Sequence, residues 1–167
     1  MSFSRIFFIS LVLFGVVLAA GFYFYTSVLS PTSAAIASPV CYAYLWNHVY
    51  NPGRLEVMKE CTEVTGVIEH VKSEADGDLH IRLRLDTEFS SLLNDENMNQ
   101  QEGDLVLEPV CQREVAQLDA IDSCRGFSNI LEIPPVGTHV RVDGSYVLDK
   151  PHGWMEIHPV SRIAVMG

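Results

Sequence analysis

No charged side chain lies between Arg5 and Arg54, and within that gap Ile6–Tyr25 is an apolar run broken only by Ser10, Gly15 and Gly21. Twenty helical residues rising about 1.5 Å each reach roughly 30 Å, the thickness of a bilayer's hydrocarbon core. The alternative, a buried core helix, fits poorly, because the run is apolar on all faces and has no later partner in the sequence. The expectation is therefore one N-terminal transmembrane helix at 6–25, acting as a signal-anchor. The water-soluble core must then be built from residues beyond Tyr25.

Arg5 precedes the run, so the positive-inside rule places residues 1–5 in the cytoplasm and the rest outside, as a single-pass N-in/C-out protein. A cleaved signal is the alternative reading. Its apolar core is usually shorter, about 7–15 residues, and ends at a small-x-small site. Ala35-Ile36-Ala37 has that pattern but lies ten residues beyond Tyr25. Cleavage there would release a secreted domain. Residues 26–40 are small and uncharged with two prolines, as befits a linker, which leaves 41–167 as the extracytoplasmic domain.

Beyond the apolar run the chain holds 21 acidic against 10 basic residues, a formal charge of −11. Such a domain repels nucleic acid and anionic lipid heads at long range. The expected partners are the membrane, through the N-terminal helix, and a small molecule, a glycan or an envelope protein. All four cysteines, Cys41, Cys61, Cys111 and Cys124, fall in the exported part. An even count in an oxidising compartment implies two disulfides. Four cysteines allow three connectivities, and Cys41–Cys61 with Cys111–Cys124 is preferred because each closes a short loop.

Tyr42–Glu60 is aromatic-rich and broken by Asn51-Pro52-Gly53, which reads as a short helix or irregular cover over one end of the core. A first strand alternates from Cys61 through Ile68 and ends at the turn Ala75-Asp76-Gly77-Asp78, since Asp-Gly is a strong hairpin signal. The second strand sets Leu79, Ile81, Leu83 and Leu85 against His80, Arg82, Arg84 and Asp86, one face for the core and one for water. A polar excursion at 87–103, with a helical turn near Phe89–Leu93, precedes a third strand at Asp104–Cys111. Val115, Leu118 and Ile121 have helical spacing, predicting a helix over Val115–Cys124. His139–Asp149 and Trp154–Val165 are the last two strands, joined by the turn Lys150-Pro151-His152-Gly153.

Five strands with a helix between the third and fourth match the order of the OB-fold, so the fold class is mainly β, a five-stranded OB-like Greek-key barrel. The stretch Pro135–Gly144, Pro-Val-Gly-Thr-His-Val-Arg-Val-Asp-Gly, resembles the start of a fourth OB strand, with a glycine where the barrel bends. Asp-Gly-Asp-Leu-His-Ile at 76–81 and His-Gly-Trp-Met-Glu-Ile-His-Pro-Val at 152–160 also resemble a group of prokaryotic exported or anchored OB-like proteins. No activity is attached to that group. The resemblance implies fold and compartment only.

On the last strand, Met155 and Ile157 should point into the barrel and Trp154, Glu156 and His158 away from it. An exposed Trp154, flanked by His152 and Glu156, offers a ligand-binding face, because an aromatic ring stacks on a sugar or a base. His80 leaves the outer face of the second strand just after Asp76 and Asp78. If the barrel brings His80, Asp78, Glu156 and His158 together, imidazole nitrogens and carboxylates would suit a divalent metal such as zinc, with a metal-bound water able to hydrolyse a substrate. The plainer alternative makes the aspartates turn-formers and the rest hydrogen-bonded rim groups. The acidic stretch Asp95–Asp104 lacks the ligand spacing of an EF-hand calcium loop and reads as a solvated loop. Phosphate-binding loops, nucleophile elbows and His-Glu-x-x-His helices have no match in the sequence. The leading reading is thus a membrane-anchored binding domain. A metal-dependent hydrolase using the His/Glu cluster and a structural accessory subunit of an envelope complex are the alternatives.

Overall fold

The computed structural model describes residues 38–167; the apolar run Ile6–Tyr25 and the linker up to Ala37 lie outside the described residues. Five strands form the frame: β1 (Leu55–Ser73), β2 (Leu79–Leu85), β3 (Leu105–Leu107), β4 (His139–Asp149) and β5 (Met155–Val165). They close into a ring in the order β1-β2-β3-β5-β4, with β4 returning to β1. Every pairing is antiparallel except β3 with β5, which run parallel.

β1 carries the curvature. Its 19 residues would reach about 60 Å if straight. Instead it shifts register near Met58, Glu60 and Glu69, pairing with β4 over Leu55–Val67 and with β2 over Gly66–Ser73. Bulges of this kind bend a strand and let one element serve both neighbours. Glycine supplies the closest approaches. A Cβ on Gly66 would lie 2.3 Å from the Arg84 carbonyl oxygen, and one on Gly144 would lie 2.4 Å from Ile157 Cγ2 and 2.5 Å from the Pro159 oxygen.

Alternation fills the interior. Val64 and Ile68 from β1, Leu79, Ile81 and Leu83 from β2, Leu105 and Leu107 from β3, Val140 and Val142 from β4, and Met155, Ile157 and Val160 from β5 form one buried cluster. A second cluster lies on the outer side of the ring. There Leu45 and Val49, from the segment around the 3-10 turn Ala43–His48, meet Leu55, Val110, Cys111 and Val147. Both expected disulfides are present: Cys41–Cys61 ties the first described segment to β1, and Cys111–Cys124 closes the loop after β3.

Several elements differ from the sequence expectation. The first strand begins at Leu55 rather than Cys61, because Glu56–Glu60 pairs only with β4 and stays exposed, and so shows no in-out alternation. The third strand shrinks to Leu105–Leu107, since Pro109 interrupts the ladder, although all of Asp104–Cys111 is buried. The helix expected over Val115–Cys124 is reduced to the short turns Leu118–Ala120 and Ile121–Cys124. The amides of Ala116 and Gln117 both donate to the Ala75 carbonyl, and Leu118 is 84 % exposed, so neither backbone nor apolar face supports a longer helix. Conversely, a helix at Asp95–Gln100 stands in the polar excursion. It is opened by an Asn94 capping box and pinned by buried Asn97, whose side chain bonds Met155 N, Met155 O and Asp104 O.

Gly144→Ala should lower the unfolding free energy by about 2–3 kcal/mol, because overpacking against backbone cannot relax cheaply. Gly53→Ala, whose Cβ would have only Asn51 Oδ1 at 4.0 Å, should be nearly neutral; urea denaturation of both variants measures the difference.

Candidate functional site

Two chain reversals and one short helix meet over the outer faces of β1 and β2. The turn after β1 brings Glu74 and Asp76, the end of the Asp95–Gln100 helix brings Gln100 and Gln101, and the β4–β5 turn brings His152 and Trp154. They enclose a groove of about 770 Å³ whose floor includes His80 and Arg82 of β2, with Glu108 just past β3. Arg54 and Tyr50 close the far side.

The β4–β5 turn forms an aromatic platform. The His152 and Trp154 rings stack with centroids 4.2 Å apart and planes 2° from parallel. Each ring is held by a buried carboxylate. His152 Nδ1 sits 2.8 Å from Asp149 Oδ2, and Asp149, 1 % exposed, is also paired with Arg54. Trp154 Nε1 donates to Glu156 Oε2 at 3.1 Å. The His152 and Gly153 carbonyls are fastened to the two ends of the Asp95–Gln100 helix, since Asn94 Nδ2 donates to the Gly153 oxygen at 2.8 Å and Gln100 Nε2 to the His152 oxygen at 3.4 Å.

The strand period places Glu156 and His158 on the face opposite Met155 and Ile157, as expected, but that face is covered: Glu156 is 1 % exposed and His158 fully buried. Val147, the cross-strand partner of Glu156, belongs to the outer cluster, which explains the burial. His158 Nδ1 donates to Glu156 Oε1 at 3.0 Å, and its Nε2 lies 4.0 Å from Asp78 Oδ2 without a hydrogen bond. Asp78 itself accepts the Cys111 amide at 2.7 Å. Glu156 thus works from inside. It holds the indole of Trp154 and does not line the groove.

His80 belongs to a separate pair on the groove wall. Its Nε2 lies 3.0 Å from Gln101 Oε1, a pure acceptor, so that nitrogen carries a proton. Its Nδ1 lies 2.9 Å from Glu108 Oε1. Burial, reinforced by the negative charges of Glu156, Asp78 and Asp76, pushes the Glu108 carboxyl well above the usual carboxylate range. A protonated Glu108 can then donate to His80 Nδ1, which satisfies both groups without burying a charge. Burial likewise raises Asp78 from 3.8 to about 7, offset in part by His158.

The structure therefore brings His152 and Trp154 together, joins Trp154 to Glu156, His158 and Asp78 in a line, and pairs His80 with Glu108. His80, Asp78, Glu156 and His158 do not gather as a set. Among the described residues, Asp78, Cys111 and Cys124 alone place three candidate ligand atoms within 4.8 Å of one another, and both sulfurs are committed to the disulfide. Glu108, Gln101 and Asp149 were not foreseen as site residues. A lone glutamate in the otherwise apolar run Leu105–Val110, on the face opposite Leu105 and Leu107, was the available signal for Glu108. No protein-family model, curated protein or solved structure matches the chain.

Asp78 makes stability depend on pH in a defined direction. Its carboxyl binds a proton in the folded state at pH values where the unfolded chain, near 3.8, has released it. Stability should accordingly fall as pH rises from about 4 to about 7 and level off above, with Glu108 adding a slope of the same sign. Asp78→Asn keeps an acceptor for the Cys111 amide and should remove up to about one proton's worth of that slope, measured by denaturant unfolding across the pH range.

Proposed function

We propose that the chain is a membrane-anchored extracytoplasmic binding domain on an OB-like Greek-key barrel, and that its ligand seats in the groove beside Trp154. The strand order β1-β2-β3-β5-β4 and the long bent β1 support the OB-like reading. Two disulfides suit an oxidising compartment, and the apolar run Ile6–Tyr25 supports the anchor. OB barrels take ligands on the strand 2–3 face between the loops after strands 1 and 4. The groove occupies the corresponding place, with β2, the β1–β2 turn and the β4–β5 turn around it.

The observation that carries the proposal is the His152–Trp154 stack, with each ring oriented by a buried carboxylate. Packing alone would bury an indole at a rim. Holding both rings by Asp149 and Glu156 fixes their planes before any ligand arrives, which cuts the ordering cost of binding. The hydrolase reading draws no support, since His80, Asp78, Glu156 and His158 do not bring three ligand atoms together among the described residues. The accessory-subunit reading draws some from an apolar groove of about 460 Å³ lined by Tyr42, Trp46 and Val57, with Met58 exposed nearby on β1.

Trp46 and Trp154 are the two tryptophans of the chain, so a Trp46→Phe protein reports on Trp154 alone. Ligands found by thermal-shift screening should change that emission, and Trp154→Ala or His152→Ala should weaken them about tenfold or more. Ligands that bind without touching the emission and are indifferent to both substitutions would place binding elsewhere.

A further inference from the structure

Resting on the groove reading, we infer that the ligand is a neutral, hydroxyl-rich saccharide. The charges around the groove are neutralised sideways, within the wall. Arg82 Nη1 pairs with Glu102 Oε1 at 2.6 Å, Lys72 Nζ with Glu74 Oε1 at 2.9 Å, and Asp149 with both Arg54 and His152. Glu108 carries no charge to match, bonded as it is to His80. A phosphate-bearing ligand needs uncommitted cationic groups, and here each of the three basic side chains already faces a carboxylate. A polycation needs uncommitted carboxylates, and of the five acidic side chains lining the groove only Asp76 lacks a side-chain partner among the described residues.

What such a wall offers instead is donors and acceptors side by side. A hydroxyl both donates and accepts, so adjacent hydroxyls on a sugar ring can donate a hydrogen bond to Glu102 or Glu74 and accept one from Arg82 or Lys72 without any ion being stripped of its partner. Those pairs are open to a ligand: Glu102 is 79 % and Lys72 62 % exposed at the side chain. The aromatic platform supplies the other half, because the C–H face of a pyranose lies flat on a ring held in a fixed plane. Gln100 and Gln101, amides with the same dual character, line the groove between platform and ion pairs.

The test uses the full chain in detergent with the Trp46→Phe substitution, titrated with maltohexaose, cellohexaose and hexa-N-acetylchitohexaose, and in parallel with oligogalacturonate, spermine and inorganic phosphate. At least one neutral oligosaccharide should shift Trp154 emission, bind with little dependence on salt, and weaken about tenfold in His152→Ala by emission and in Trp154→Ala by isothermal titration calorimetry. If Trp154→Ala fails to fold, Glu102→Ala carries the comparison, with weaker binding of the neutral oligosaccharide expected by Trp154 emission. A response confined to oligogalacturonate, spermine or phosphate, falling as salt rises, would overturn the neutral-saccharide assignment and leave the groove as the binding site. Silence of Trp154 emission toward every probe would overturn both.

Discussion

A five-stranded ring closes only if the last strand fits between two others, and here β5 lies parallel to β3 and antiparallel to β4. That position decides how the polar residues of β5 are treated. One face packs into the ring through Met155, Ile157 and Val160, while the other lies beside Val147 under the outer cluster. Glu156 and His158 are thereby taken out of water, and a buried carboxylate and imidazole must find partners or lose several kcal/mol. Glu156 meets this by accepting from His158 on one oxygen and from Trp154 on the other. The orientation of the groove's aromatic platform is therefore a by-product of how the ring closes.

The same logic extends to two further buried carboxyls. Asp78 and Glu108 are both shifted toward their protonated forms by burial, and each sits where a loop crosses the end of the ring. Asp78 accepts the amide of Cys111, whose sulfur is bound to Cys124, so the loop following β3 is fixed by a covalent bond and a charge-assisted or neutral hydrogen bond at one residue. Glu108, one turn of chain earlier, bonds its backbone to Ile157 and Val160 of β5 while its side chain reaches His80 of β2. Groove wall and ring closure share that residue.

Much of the frame was legible in the sequence because it rests on period-two alternation and turn residues. β2, β4 and β5 stand within one residue of their expected limits, and both disulfides join the cysteines whose loops are shortest. Alternation failed where a strand had only one neighbour, as at Glu56–Glu60, and where burial was on all sides, as at Asp104–Cys111. Helical spacing misled at Val115–Cys124 because Leu118 and Ile121 stay exposed while Val115 packs toward the β1–β2 turn. In the site, Trp154, His152 and Glu156 were readable from strand period and turn position. Their division into ring platform and internal support was not, since it depends on which face of β5 the outer cluster covers.

The Cys41–Cys61 bridge has a mechanical meaning. Tension drawn on the chain at Ser38 reaches Cys61 through the disulfide and bypasses the 3-10 turn, Asn51-Pro52-Gly53 and the exposed start of β1. It enters β1 beside Thr62, which is paired with Gly144 of β4, where the two strands share the ladder in the middle of the ring. The Val40 amide, 3.2 Å from Asp143 Oδ2 on the same strand, lies along that line of force. A pull from the N-terminal side is thus spread over the β1–β4 ladder, whose antiparallel bonds share the load, and the groove-bearing turns at the other end of these strands lie off its path.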